Sequence, residues 1–265
     1  MIEIISYQEV KGNNKDIVNN EFEKLLNEIK NKYNAEILSV DYEEEDGKEG
    51  ILYIKVGELK ITFNSFLEYV DFCLNYGADL DIVSPSKLKI SSKEFGETVA
   101  HIIEFFKRFY EKYNIMFNVH IKEEDNINVE EYKNGIYDED DIFALQEEGL
   151  IKVKAVFEGF GSSEDEVIKK VLLSFGDNIV VNKVITKPLE KEGNYKNVNF
   201  YGLIAVEIFC KPFDIVEMAY KFLPVVISIE DRYIEIDGLE LQDIGNDLGG
   251  AVFELTHAAV MKNLN

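Results

Sequence analysis

"ILYIKVGELKITFNSFLEYVDFCLNYGADLDIVSP", Ile51 to Pro85, changes its hydrophobic period twice. Ile51 to Phe63 alternates apolar and polar residues, as a strand with one buried face does, and a bend is expected at Gly57. From Phe66 the apolar residues fall three and four apart, the spacing of a helix capped by Asn64 or Ser65 and stopped by Gly77. "ADLDIVSP" then alternates again and ends at Pro85. Upstream, "IEIISYQEV" reads as a strand and "NKDIVNNEFEKLLNEIKNKY" as a helix. Ile17, Phe22, Leu25, Leu26 and Ile29 are predicted to share its buried face. "AEILSVDYEEE" returns to strand, and "EDGKEG" is a turn.

The order is β-α-β-β-α-β, the split-βαβ or ferredoxin-like plan. A short strand "KLKIS" and a long helix "SKEFGETVAHIIEFFKRFYEKY" extend it, and "IMFNVHI" is predicted to add a further strand. The second half repeats this order from "LIKVKAVFEG" to the last helix, which contains "LQDIGNDLGGAVFELTHAAV". The fold class expected is α+β, an internal duplication of two ferredoxin-like units with antiparallel sheets, each with an added strand and long helix. The repeats are residues 1–122 and 150–265, joined by an acidic linker at 123–149. That linker carries eleven acidic residues and one lysine, with a short helix expected at "DDIFALQEE".

Glycine costs about 1 kcal/mol against alanine inside a helix, so Gly245, Gly249 and Gly250 in the last helix need a reason. Neither a phosphate-binding pattern nor a strand-to-turn glycine precedes them, and acids follow. Close packing is the reading. Aligning "EFGETVAHII" with "DIGNDLGGAV" gives Gly96 and Gly245 the same place in the two copies, and Gly245→Ala is expected to be neutral or slightly stabilising.

A net charge of −23, from 51 acidic and 28 basic residues, repels nucleic-acid phosphates and anionic lipid. It favours a basic protein partner or simple solubility. Hydrophobic residues at 46% can supply real cores. No apolar run reaches the roughly 20 residues of a membrane helix, and the N-terminus lacks a signal-peptide pattern, so a cytoplasmic setting is expected. Abundant Lys, Glu, Ile and Asn with two arginines and no tryptophan point to an AT-rich genome, such as an archaeon's. Cys73 and Cys210 are expected to be buried rather than bridged.

No catalytic motif emerges, and no metal or cofactor site is expected. In "FEGFGSSEDEV", Gly159 and Gly161 precede Ser163 and Glu166, which form a capping box rather than a phosphate loop. His101 with Glu104, and Glu254 with His257, lie three apart on helices and are the nearest approach to an acid–base pair. His120 has no such companion. "DEDD", Asp138, Glu139, Asp140 and Asp141, lacks the register of a calcium loop and is the candidate partner-binding segment. The aromatics of "FFKRFYEKYNIMF" are read as core.

Paired βαββαβ units resemble ACT-type regulatory domains in element order. The resemblance implies a small ligand in the first strand-to-helix turn, which places Gly12 and Gly161 as candidate ligand-turn residues. The Asp-x-Pro-Gly turn of those domains is replaced here by "VKGNNKD" and "GFGSSED". The function expected is a non-enzymatic protein-binding or assembly module. A small-molecule sensor and an enzyme with a cleft between the repeats are the alternatives, and self-association into a homo-oligomer stays open.

Overall fold

Eleven alternating residues open the chain as β1 (Ile2–Gly12), whose inward row runs Ile2, Ile4, Ser6, Gln8. The two buried polar members satisfy each other, Gln8 Nε2 donating to Ser6 Oγ at 2.9 Å. The structure, a computed structural model, describes residues 1–47, 50–77, 79–117, 127–190 and 198–264. Asn14 caps α1 (Lys15–Lys32) by accepting from the N–H groups of Asp16 and Ile17. The buried stripe of α1 is Val18, Phe22, Leu26 and Ile29. Ile17, expected on that face, is 60% exposed, because the stripe begins one residue later.

Two long strands, β2 (Asn34–Gly47) and β3 (Gly50–Phe63), form an antiparallel pair. Gly57 does not bend β3: its pairing runs unbroken through Gln8↔Gly57, and the register shift lies on β2 between Ile37 and Ser39. A Cβ on Gly57 would stand 2.9 Å from the Phe22 ring, so the glycine makes room for α1. Ser65, not Asn64, caps α2 (Phe66–Tyr76), and β4 (Asp79–Ser84) follows. The first sheet has the order β2-β3-β1-β4.

A short strand β5 (Lys87–Ser91) leads into α3 (Ser92–Tyr113). The strand predicted at 115–121 is not seen in Ile115–Phe117, and 118–121 lie outside the described residues. α4 (Val129–Asn134) and α5 (Glu139–Glu147) precede β6 (Ile151–Gly161), α6 (Glu164–Ser174), β7 (Val180–Pro188), β8 (Phe200–Cys210), α7 (Pro212–Phe222) and β9 (Val226–Ile229). The second sheet has the order β7-β8-β6-β9, again antiparallel. β10 (Tyr233–Asp237) forms a two-stranded sheet with β5 and runs into α8 (Gly238–Leu264).

The compact units are composed differently from the chain halves 1–122 and 150–265. One consists of Met1–Ile90 with Glu235–Asn265, the other of Ser91–Ile234. In the first unit α8 packs on α2 and β4, and in the second α3 packs on α7 and β9. Each long helix therefore belongs to the unit built mainly from the other half of the chain. Residues 127–149 are also more than a connection, since α4 packs on β7 and α6 within the second unit.

The glycines of α8 divide by role. A Cβ on Gly245 would meet the Tyr69 hydroxyl at 2.0 Å and Leu80 at 2.9 Å. One on Gly77 would come within 2.7 Å of Gly249 Cα, so α2 and α8 touch backbone to backbone there. Gly250 and Gly96 face nothing within 4 Å, and the packing expected of Gly96 is absent. The cause is register. Ser91 caps α3 through the Glu94 N–H, and Asp237 accepts from the Glu240 N–H at the start of α8. Counting on from these caps, Gly96 matches Gln242 and Gly245 matches the buried Val99.

Candidate functional site

Among the candidate residues, the acidic quartet has the most defined geometry. Asp138 caps α5, its Oδ1 accepting from the N–H groups of Asp140 and Asp141 at 3.0 Å each. Asp141 Oδ2 accepts in return from the Asp138 N–H at 3.3 Å, completing a capping box. Glu139 and Asp140 add negative charge to the first turn, where the helix dipole favours it. α5 buries none of its residues, and Phe143 is 61% exposed.

The segment before α5 is held firmly. Asn182, buried on β7, accepts through Oδ1 from the N–H groups of Ile136 (3.1 Å) and Tyr137 (2.9 Å). Its Nδ2 donates to Glu207 at 2.7 Å. Lys133, the one lysine of 123–149, bonds Glu130 and Asp165 at 3.1 Å each, and these partners raise its pKa. A fixed base thus carries a helix with an acidic start and an uncovered aromatic.

The ligand-turn candidates show a different geometry. A Cβ on Gly12 would meet Val18 at 3.1 Å, and one on Gly161 would meet Val167 at 2.6 Å. Valine from the following helix occupies the space at both turns, so packing accounts for both glycines. At the second turn Ser163 accepts from the Glu166 N–H, and the Glu166 carboxylate reaches back to the Ser162 N–H at 2.9 Å. Bonds from Lys170 first, then Ser162, hold that carboxyl down at about 2. An anion would meet this carboxylate as well as Glu164 and Asp165.

Glu104 is ion-paired with Arg108, and the exposed His257 ring stacks with Phe253 at 6.4 Å. His101 is half-buried on α3, and His120 lies outside the described residues. Among the described residues no group of three or more His, Cys, Asp or Glu side chains could hold a metal ion. Both cysteines are buried thiols, and burial pushes Cys73 up to about 12. Burial also raises the Asp214 carboxyl, which caps α7 by accepting from the Lys211 N–H at 2.9 Å. In the aromatic–basic stretch, Phe106 is buried against Tyr220 with centroids 5.2 Å apart.

Among the described residues, two hollows lie within the second unit. One, about 310 Å³, lies beside α4 and is lined by Tyr132, Tyr137, Leu172, Phe175 and Ile179. The other, about 430 Å³, separates Ser92, Gly96 and Ala100 of α3 from Ile227, Ser228 and Ile229 of β9. Composition and spacing singled out neither hollow. The α3 groove was marked in sequence only by the small residues at 96 and 100.

Fold and surface together define an α+β protein with antiparallel sheets, in which no helix of the described residues is long and apolar enough to cross a membrane. The chain belongs to the MJ0538 family, whose model matches residues 3–262. It is similar to the uncharacterized protein MJ0538 of Methanocaldococcus jannaschii, 49% identical over 263 residues, which cover 99% of this chain and 100% of the relative. No solved structure matches the chain.

Proposed function

We propose that the protein is a non-enzymatic docking module of the cytoplasm that recruits a basic protein partner through α5. The observation that carries this reading is the helix itself: it buries no residue, begins with Asp138, Glu139, Asp140 and Asp141, and leaves Phe143 uncovered. A net charge of −23 supports it by steering basic partners toward the surface. The frame is read as a duplication of two ferredoxin-like repeats, 1–122 and 150–265, with 123–149 between them. Matching strand orders, the Gly12–Val18 and Gly161–Val167 contacts and the paired caps Ser91 and Asp237 support the duplication.

The test uses the partner isolated by pull-down on the full chain. Changing Asp138, Asp140 and Asp141 to Asn and Glu139 to Gln keeps the helix cap, because Asn caps as well as Asp. Surface-plasmon kinetics at two salt concentrations should show a slower on-rate with little change in off-rate. Phe143→Ala should instead speed dissociation. An on-rate indifferent to both salt and the four substitutions would remove α5 from the interface.

A further inference from the structure

The outer edge of a sheet exposes unpaired N–H and C=O groups, and the two units treat theirs differently. In the first unit β4 is one of the two edge strands, β2 being the other. Asn246 Oδ1 accepts from the Leu80 N–H at 3.0 Å, and Gln242 Oε1 accepts from the Ile82 N–H at 3.1 Å. Asn246 Nδ2 also donates to the Leu80 carbonyl at 3.3 Å. The spacing fits, since four helical residues rise about 6 Å and two strand residues about 6.6 Å. Side chains of α8 thus close this edge.

In the second unit the corresponding edge strand is β9, the other edge being β7, on which α4 packs. Ile227 and Ile229 pair with Ala155 and Val153 of β6 as Leu80 and Ile82 pair with Ser6 and Ile4 of β1. That shared register, with the Glu230 N–H directed at the Lys152 carbonyl, turns the N–H groups of Ile227 and Ile229 away from β6; the alternation breaks only before β9, where the Val225 N–H reaches the Val156 carbonyl at 2.7 Å. Beside them runs α3. At the places that Gln242 and Asn246 hold on α8, α3 carries Gly96 and Ala100, neither of which can make a side-chain hydrogen bond. A groove of about 430 Å³ lies between these two residues and β9.

We propose that this groove is a docking site for an extended, basic segment of another protein, which adds to β9 as a fifth strand and lies over Gly96 and Ala100. Main-chain bonds to Ile227 and Ile229 would hold it, the mode of strand addition to an open edge. Charge selects the occupant: a second copy would bring its own net charge of −23, whereas a basic segment is attracted. Area points the same way. β9 is four residues long, and pairing two such edges falls well short of the 1,200–2,000 Å² typical of a stable interface. On the rim Glu97 and Lys93 are ion-paired at 3.8 Å and offset each other, so the selection rests on the charge of the whole chain. The proposal rests on the docking reading but not on α5.

The test grafts the closed edge onto the open one with Gly96→Gln and Ala100→Asn together. The probe is a fluorescent peptide of alternating lysine and valine, read by anisotropy. It should bind the unaltered chain and bind the double variant at least about tenfold more weakly, while a glutamate–valine peptide and a proline-interrupted lysine peptide should fail on both. The four α5 substitutions should leave this affinity nearly unchanged, which separates failure here from failure of the α5 reading. Hydrogen exchange on the unaltered protein keeps the test alive if the double variant misfolds. The amides of Ile227 and Ile229 should exchange faster than those of Leu80 and Ile82, and the lysine peptide should slow them. Absence of binding, binding undiminished by the graft, or a homodimer in sedimentation that the graft abolishes would each overturn the proposal.

Discussion

At Gly245 one hydrogen atom stands where any other residue would place a carbon 2.0 Å from the Tyr69 hydroxyl. That hydroxyl cannot simply swing away, because Tyr69 is fully buried and donates to the Leu241 carbonyl at 2.7 Å. Helix propensity favours alanine here by about 1 kcal/mol, but overpacking a filled core typically costs about 1–3 kcal/mol. The steric term wins, which reverses the neutral outcome expected from propensity alone. Gly245→Ala should destabilise the protein in urea unfolding by up to about 2 kcal/mol net, the overpacking cost less the propensity gain. Tyr69→Phe removes the clashing oxygen, so the double variant should be less destabilised than the sum of the two single ones. Strict additivity would show that the clash relaxes elsewhere. The need for a small residue at Gly245 was legible in the sequence, but its partner, far away in the chain, was not.

Among the elements, strands were the most legible, because alternation such as Ile2, Ile4 and Val153, Ala155, Phe157 is imposed by the pleat itself. The acidic run 123–149 read as a linker because composition reports solvation and not anchorage. Its anchor is Asn182, a buried polar residue that nothing in the local pattern of β7 marks. Asn182→Ala would strand the half-buried N–H of Tyr137 while the Ile136 N–H keeps the residue-182 carbonyl, and leaving such a polar group unsatisfied costs about 1–3 kcal/mol. Chemical denaturation should show a loss in that range. Hydrogen exchange should show faster exchange at Tyr137, with β1 and β3 unchanged. Protection retained at Tyr137 would mean that the Asn182 side chain is not what anchors the segment.

For the whole molecule, the exchange of α3 and α8 was beyond the reach of periodicity. An apolar stripe states that a helix packs, not which of two similarly ordered sheets receives it. Because the second unit is one continuous segment, residues 91–234 expressed alone should fold and unfold cooperatively. The halves 1–122 and 150–265 should each lack a long helix that their sheet requires, and either expressed alone should show broad, non-cooperative melting. Cooperative melting of the isolated halves would favour the chain-contiguous division instead. A protease cut within 129–147 falls inside the second unit, so the two pieces should stay associated on gel filtration.

The closure of β4 by Gln242 and Asn246 has a consequence in time. When the ribosome has made the first 90 residues, the first sheet has all its strands but not the helix that seals its edge. At about 5–20 residues per second, the wait for α8 lasts on the order of 10–40 s. Throughout it Leu80 and Ile82 offer bare amides to any passing strand, in a nascent chain crowded by its siblings on the same message. The acids flanking them, Asp79 and Asp81, are placed to act as gatekeepers against such pairing during synthesis.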